Sequence, residues 1–194
     1  MTHTVDVNQL AESVHGWLER KQLASLAPVF SEALLTYAAA KYLVEQGYEI
    51  TAEENLGTGP ADYRSCDLVA RNPDMKANGL AFEFKFLKGR NTGAPTQPFE
   101  RISNDILKLC CLGQEWHAYL VLGYAASTKL YKELTKEPLR FAIDDVGLGT
   151  LKPRKALERV LSLSGISACS LLREGNADRG DMRVSIFRIE VHHR

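Results

Sequence analysis

Several features that would assign this sequence to a class at once are missing. No apolar run in the 194 residues approaches the length needed to cross a bilayer. The first residues carry neither the basic nor the apolar segment of a secretory signal, so we expect a cytoplasmic protein without a membrane partner. The four cysteines form no Cys-x-x-Cys pattern and no Cys/His cluster, which argues against a zinc site and favours reduced thiols.

The sequence also has no excess of either charge. Lysine plus arginine and aspartate plus glutamate each number 24, so the formal net charge at pH 7 is zero. Composition therefore does not by itself indicate a nucleic-acid-binding protein. Because there is no internal repeat or low-complexity segment, and the length suits one hydrophobic core, we expect a single domain over residues 1–194.

Apolar periodicity predicts a mixture of helices and strands. Helices are expected at residues 8–22, 28–46, 98–112, 127–134 and 153–163. Strands are expected at residues 48–52, 66–70, 80–87, 117–123, 168–173 and 182–191. Gly47 is a natural C-terminal cap for the second helix, and residues 175–181 are typical of a turn between the last two strands. The order helix, three strands, helix, strand indicates an α/β sandwich and not a regular βαβ repeat.

The strand at residues 80–87 places two opposite charges on one side of a buried element. Because side chains alternate along a strand, its phenylalanines face the core, and Glu83 and Lys85 share the other face. Their Cα atoms are expected to lie about 7 Å apart. Burying either charge without a partner would cost several kcal/mol. For an isolated Glu-x-Lys, a cross-strand ion pair on a solvated face is the simplest explanation.

Two further acids stand where an acid is unexpected. Asp67 lies inside a short apolar strand, although aspartate has poor strand propensity. Glu32 lies in the first turn of the second helix, on the same face as its apolar residues. Three acids and a lysine on different elements can converge at one site, and oxygen ligands of this kind suit Mg²⁺ or Mn²⁺.

The order of these residues resembles the PD-(D/E)XK superfamily of restriction-endonuclease-like nucleases. The match consists of Glu32 in a helix, Asp67 in a strand and Glu83-Phe84-Lys85 in the next strand, followed by a helix and a strand, over about residues 28–124. Cys66 stands where the family name has proline. The resemblance implies an α/β fold with an α-β-β-β-α-β core, a mixed central β-sheet and flanking helices. The N-terminal helix and the C-terminal helices and strands would be additions to that core.

The resemblance also implies a reaction and a role for each residue. Asp67, Glu83 and the Phe84 carbonyl would hold Mg²⁺ or Mn²⁺. Lys85 would position the attacking water and stabilise the developing charge. Glu32 would serve a second metal site or orient metal-bound water. These four side chains are the candidate catalytic residues of an endonuclease or exonuclease, with DNA favoured over RNA by the habit of the family.

Basic residues near the motif are candidates for contacts with nucleic-acid phosphates. They are Lys88, Arg90, Arg101 and Lys108. A solvated surface charge is the simpler interpretation of each one alone. Asp105 is a candidate for orienting Lys85 or Arg101, although a helix-surface acid is again the simpler interpretation.

Two alternatives to the nuclease remain open. A non-catalytic protein of the same fold would bind nucleic acid or protein; zero net charge favours it, whereas the intact set of Asp67, Glu83 and Lys85 disfavours it. An unrelated α/β interaction protein would use Glu83 and Lys85 as an ion pair, with Glu32 and Asp67 far away. The sequence leaves the oligomeric state open, a homodimer included.

Overall fold

The computed structural model describes residues 5–23, 31–56, 65–73, 79–87, 97–125, 139–142, 166–180 and 182–193. Within these ranges the chain forms three helices and seven strands. The helices are α1 (Val7–Leu23), α2 (Glu32–Glu45) and α3 (Gln97–Cys110). The strands are β1 (Glu49–Asn55), β2 (Ser65–Arg71), β3 (Gly79–Leu87), β4 (Trp116–Ala125), β5 (Leu139–Ala142), β6 (Ile166–Arg179) and β7 (Met182–His193).

The strands form one mixed sheet in the order β1-β2-β3-β4-β7-β6-β5. β3 and β4 are parallel, and every other pair of neighbours is antiparallel. A parallel pair needs a crossover connection, and α3 lies in the one between β3 and β4. The predicted α/β class, with a mixed central sheet and flanking helices, is confirmed.

Helices cover both faces of this sheet. On one face, α1 and α2 enclose an apolar cluster in which Leu35 and Leu43 pack with Phe82 and Phe84. On the other face, α3 contributes residues such as Ile106 to a second apolar cluster over β3, β4 and β7. β3 is therefore buried from both sides, so any polar side chain on it must find a partner inside the protein.

The predicted helices are recovered where the structure describes them. α1 matches the helix expected at 8–22, and α3 matches the one expected at 98–112. α2 ends just before Gly47, which adopts a positive φ of 84°, as predicted for a C-terminal cap. The helices expected at 127–134 and 153–163 lie outside the described residues. No helix in the described ranges is long and apolar enough to span a membrane.

The predicted strands are recovered with one correction at the last hairpin. Residues 175–181 are not mainly a turn, because β6 continues to Arg179 and β7 begins at Met182. Gly175 lies within β6, where a Cβ atom would come within 2.5 Å of the Val7 carbonyl oxygen. This glycine therefore allows the start of α1 to approach the strand, at a point where the register between β6 and β7 shifts. β5 was not predicted.

α1 is anchored to the β6–β7 hairpin through a buried histidine. His15 Nε2 lies 3.0 Å from the carbonyl oxygens of both Arg179 and Met182. Because a carbonyl oxygen only accepts, the Nε2 atom must carry the proton and donate to both. An exposed ion pair between Arg179 and Glu12, at 3.2 Å, lies beside this contact. The N-terminal helix is thus fixed to the C-terminal hairpin.

Candidate active site

β2 and β3 bring Asp67 and Glu83 together on adjacent antiparallel strands. The register pairs Leu68 with Phe82, which sets Asp67 opposite Glu83. The backbone N–H of Phe84 donates a hydrogen bond of 2.8 Å to Asp67 Oδ2. The Asp67 carboxylate is therefore held against β3, beside Glu83, the second acid that the sequence predicts for this site.

Glu83 is the most buried acid of this site, with 1% of its surface exposed. Burial, together with the neighbouring Asp67 and Asp105 carboxylates, raises the pKa of Glu83 to about 8, and Lys108 opposes the shift. A carboxyl group that titrates near neutral pH beside other acids marks a candidate functional site.

Lys85 is held by two acids from different helices. Its Nζ atom lies 2.8 Å from Asp105 Oδ2 and 3.4 Å from Glu32 Oε2, and it donates a hydrogen bond of 3.2 Å to the Phe84 carbonyl. Burial disfavours the ammonium form, but the attraction of Asp105 and Glu32 is stronger, so the pKa of Lys85 is raised. Lys85 therefore remains charged at neutral pH.

α3 supplies two charges that complement those of β3. Asp105 and Lys108 are one helical turn apart and so project from the same side of α3. Asp105 meets Lys85, and Lys108 Nζ lies 2.6 Å from Glu83 Oε1. We call Glu83, Lys85, Asp105 and Lys108 the charge quartet. In it, each acid on one element faces a lysine on the other.

The contacts within the charge quartet are ion pairs with poorly directed hydrogen bonds. Glu83 Oε1 and Asp105 Oδ2 are buried, and neither accepts a hydrogen bond of normal geometry from the described residues. Each nevertheless lies within 2.8 Å of a lysine nitrogen. Burial raises the pKa of Asp105, and Lys85 opposes that shift. The quartet is therefore bound mainly by charge attraction.

The donor set beside β3 suits a hard divalent cation. Asp67 and Glu83 provide carboxylate oxygens and Phe84 provides a carbonyl oxygen, which are ligands that Mg²⁺ and Mn²⁺ prefer. Two protein carboxylates are sufficient for Mg²⁺, which retains several waters. Glu83 Oε1 is the buried acceptor there that lacks a directed donor. These residues fit the ion that the resemblance implies.

Glu32 approaches Lys85 from α2, on the opposite face of the sheet from α3, and does not complete a three-carboxylate group. Its Oε2 atom faces Lys85, and its side chain is 45% exposed. In the part of the chain that the structure describes, no three His, Cys, Asp or Glu side chains are close enough together to hold a metal. Glu32 therefore reaches the site through Lys85.

Of the four basic candidates for phosphate contacts, the structure describes the side chain of Lys108 alone. Lys88 and Arg90 lie outside the described residues. Arg101 belongs to α3, but its side chain is also outside the description. Lys108 is turned towards Glu83 and only 18% exposed, so it is a member of the charge quartet and not a solvated surface charge.

Asp105 and Lys108 belong to the site, although the simplest interpretation of each from the sequence is a surface charge. Asp105 was given a surface position as its simplest interpretation, and it is in fact buried. A signal for this exists, because Ile102, Ile106 and Leu109 form the apolar stripe of α3 and Asp105 lies on it. An acid on an apolar stripe is the same anomaly that singled out Glu32.

Comparison with known proteins adds no family assignment. No family model matches the chain, and no curated protein or solved structure matches it either. A functional assignment therefore depends on the geometry of Asp67, Glu83 and Lys85 and on their partners in α2 and α3.

Proposed function

We propose that this chain is a divalent-metal-dependent nuclease with a restriction-endonuclease-like core, and that it hydrolyses phosphodiester bonds in DNA. The observation that carries the proposal is the position of Asp67 beside the buried Glu83 on adjacent strands. Lys85 lies two residues beyond Glu83, close to the same cluster of acids. The preference for DNA rests on the family resemblance.

The order of elements around these residues supports the proposed core. From α2 to β4 the described chain runs helix, three strands, helix, strand, which is the α-β-β-β-α-β order that the resemblance implies. β1, β2 and β3 are antiparallel neighbours, and β4 lies parallel to β3 on its other side. α2 and α3 then bring Glu32 and Asp105 to the same strand from opposite faces of the sheet.

The charge of the cluster supports a divalent ion. Asp67 and the charge quartet, with Glu32 beside them, contain four carboxylates and two ammonium groups. When all are ionised, the cluster lacks two positive charges, which is the charge of one divalent cation. Asp67 and Glu83 would hold that cation together with the Phe84 carbonyl. When bound, a divalent cation supplies Lewis acidity towards a phosphoryl group.

Lys85 would position the attacking water and stabilise negative charge that develops on the phosphate. Its ammonium is suited to this because it stays charged and is held from two sides, by Asp105 and by Glu32. Glu32 and Asp105 would then be positioning residues that act through Lys85. A group held in place before the reaction loses little entropy when the transition state forms.

A second candidate function is a non-catalytic module of the same fold that binds nucleic acid or protein. The observation that favours it is the internal pairing of the charge quartet, where each lysine already faces a carboxylate. In that case the quartet would fix the position of α3 on the sheet and would have no chemical role.

Cleavage assays separate the two candidates. Linear, single-stranded and branched DNA, and RNA as a comparison, are incubated with the chain in Mg²⁺ or Mn²⁺, with and without EDTA. We expect metal-dependent cleavage of DNA, and a loss of at least about 100-fold in rate for Asp67→Ala and Lys85→Ala. Calorimetry should show that Asp67→Ala loses Mn²⁺ binding and that Lys85→Ala retains it.

The matched control is Lys41→Ala, which removes a lysine from an exposed ion pair on α2. It should cleave at the wild-type rate. An uncut panel of substrates in either metal, combined with binding of DNA or RNA, would establish the non-catalytic module. Wild-type cleavage by Lys85→Ala together with an inactive Asp67→Ala would remove the role assigned to the lysine.

A further inference from the structure

Lys108 occupies a special place among the lysines of the site, because it faces a proposed metal ligand. Its Nζ atom lies 2.6 Å from Oε1 of Glu83, whereas the other lysine of the charge quartet, Lys85, faces Asp105 and Glu32. A positive charge thus already lies at the carboxylate that a divalent cation would use. Two cations cannot both lie against the same carboxylate oxygen at such a distance without strong repulsion.

The contact between Lys108 and Glu83 can also be broken by a competing cation. Glu83 Oε1 accepts no hydrogen bond of normal geometry, so the attraction to Lys108 depends chiefly on charge. A divalent ion offers the same carboxylate twice the charge. The lysine side chain is a flexible four-carbon stem, and 18% of it is exposed, which indicates that it lies near solvent.

The fold offers a second favourable position for the displaced ammonium. Lys108 lies in the last turn of α3, which ends at Cys110. Backbone carbonyl groups at a helix C-terminus carry partial negative charge and attract cations. The side chain can therefore move away from Glu83 without losing all of its electrostatic stabilisation.

We infer that Lys108 is an internal counter-ion of Glu83 in the metal-free protein, and that a divalent cation binds by displacing its ammonium group. This inference rests on the proposed function, because it assumes that Glu83 is a metal ligand. It assigns Lys108 two successive states. In the first the lysine lies against the buried carboxyl group of Glu83, and in the second it is released at the margin of the site, where a substrate phosphate would approach.

Displacement has a measurable consequence for metal affinity. When a binding-competent state is only a fraction of the population, the apparent affinity falls by that fraction. Lys108→Met removes the competing charge and keeps an unbranched side chain, so we expect it to bind Mn²⁺ about tenfold more tightly than wild type by calorimetry. The metal-free variant should also melt at a lower temperature, since Glu83 loses its partner.

Two variants control for the general loss of a positive charge. Lys41→Met removes an exposed lysine from α2 and should bind Mn²⁺ as wild type does. Lys85→Met removes the other lysine of the charge quartet and should tighten Mn²⁺ binding much less than Lys108→Met, because Lys85 does not face Glu83. Equal tightening by the Lys85 and Lys108 variants would overturn displacement and leave only a long-range charge effect.

A labelling experiment on the wild-type chain tests the same inference without a variant. Acetic anhydride modifies accessible, uncharged amines, and Lys108 is protected by burial and by its pairing with Glu83, which helps to raise its pKa. We expect Mn²⁺ to increase acetylation of Lys108, measured by mass spectrometry of its peptide, and to leave Lys41 unchanged. Identical acetylation of Lys108 at zero and saturating Mn²⁺ would show that it is not displaced.

The failures of the two proposals are distinguishable. If wild type binds Mn²⁺ and Asp67→Ala does not, but Lys108→Met binds no more tightly and Lys108 labelling is unchanged, the metal site stands and the counter-ion role is wrong. If neither wild type nor Lys108→Met binds Mn²⁺, both proposals fail. If Lys108→Met does not fold, the labelling result on wild type decides the matter.

Discussion

β3 has two covered faces, and charged side chains stand on the α3 side alone. On the α2 side, Phe82 and Phe84 are fully buried, and the Phe82 ring stacks on Tyr119 with centroids 5.3 Å apart. On the α3 side, Glu83 is only 1% exposed and meets Lys108. The same nine-residue strand therefore contributes apolar side chains alone to one interior and adds two charges to the other, otherwise apolar, interior.

The two faces contribute differently to stability. Full burial of an aromatic side chain contributes roughly 1.5–3 kcal/mol. Burial of an ion pair carries a desolvation cost that often equals or exceeds its Coulombic gain, so an apolar replacement of the same volume is frequently neutral or stabilising. A chain selected for stability alone would have no need of the charged face. The charged face therefore calls for a purpose other than stability, which is either a functional site or the positioning of α3 on the sheet.

The largest expected loss of stability comes from a substitution on the apolar face of β3. Phe82→Ala should lower the free energy of unfolding by roughly 4 kcal/mol, because it removes a fully buried ring and leaves a cavity. Guanidinium titration measures this value, and we expect it to be the same at pH 5 and pH 8, since no ionisable group is lost. A loss below about 1 kcal/mol would mean that this face is not the main apolar interior.

The next largest loss of stability is expected from a substitution that removes a charge on the α3 side of β3. Asp105→Ala should lower the free energy of unfolding by about 3 kcal/mol, since it removes the nearest carboxylate of Lys85 and leaves that lysine with the more distant Glu32 and the Phe84 carbonyl. The double variant Asp105→Leu with Lys85→Met should recover most of that loss, because no unpaired charge remains. If the double variant is no more stable than Asp105→Ala, the ion pair is not the reason for the loss.

A smaller effect concerns pH. The pKa of Glu83 is about 8 in the folded chain against an ordinary value of 4.5. Between these values the folded state binds more protons than the unfolded state, so the contribution of Glu83 is complete below about pH 4.5 and is lost as pH rises towards 8. Glu83→Gln should flatten the decline in melting temperature across this range. An unchanged slope in that variant would contradict the assignment to Glu83.

The smallest effect is expected outside both faces of β3. The ion pair between Arg179 and Glu12 has side chains 69% and 44% exposed. Arg179→Ala should therefore change the free energy of unfolding by at most about 0.5 kcal/mol, measured in the same denaturant titrations. A cost comparable to that of Asp105→Ala would show that burial is not what distinguishes the charge quartet from surface pairs.

The parts of this site that follow from local periodicity could be predicted from the sequence. Alternation along a strand is a local property, so the separation of the phenylalanines from Glu83 and Lys85 on β3 was predictable. The adjacency of Asp67 and Glu83 followed from the order of two neighbouring strands. Gly47 was predictable as well, because a helix end that requires a positive φ favours glycine.

The partners of the charges could not be predicted in the same way. Whether Lys108 meets Glu83 depends on how α3 is rotated over the sheet, and that rotation is set by tertiary packing. Gly175 shows a related ambiguity, since glycine is used both in turns and where backbones approach closely. β5 is only four residues long and depends on pairing with β6, so its own sequence carried little signal.

The contact between His15 and the β6–β7 hairpin has a consequence for synthesis on the ribosome. The residues that this contact joins are 164 and 167 positions apart in the sequence. β4 has β3 and β7 as its neighbours in the sheet, and β7 is likewise synthesised last. The segment 28–124 emerges before β7 exists, with one edge of β4 still without its partner. Native pairing of that edge must therefore wait until the last strand has been translated, and contacts of such long range form slowly.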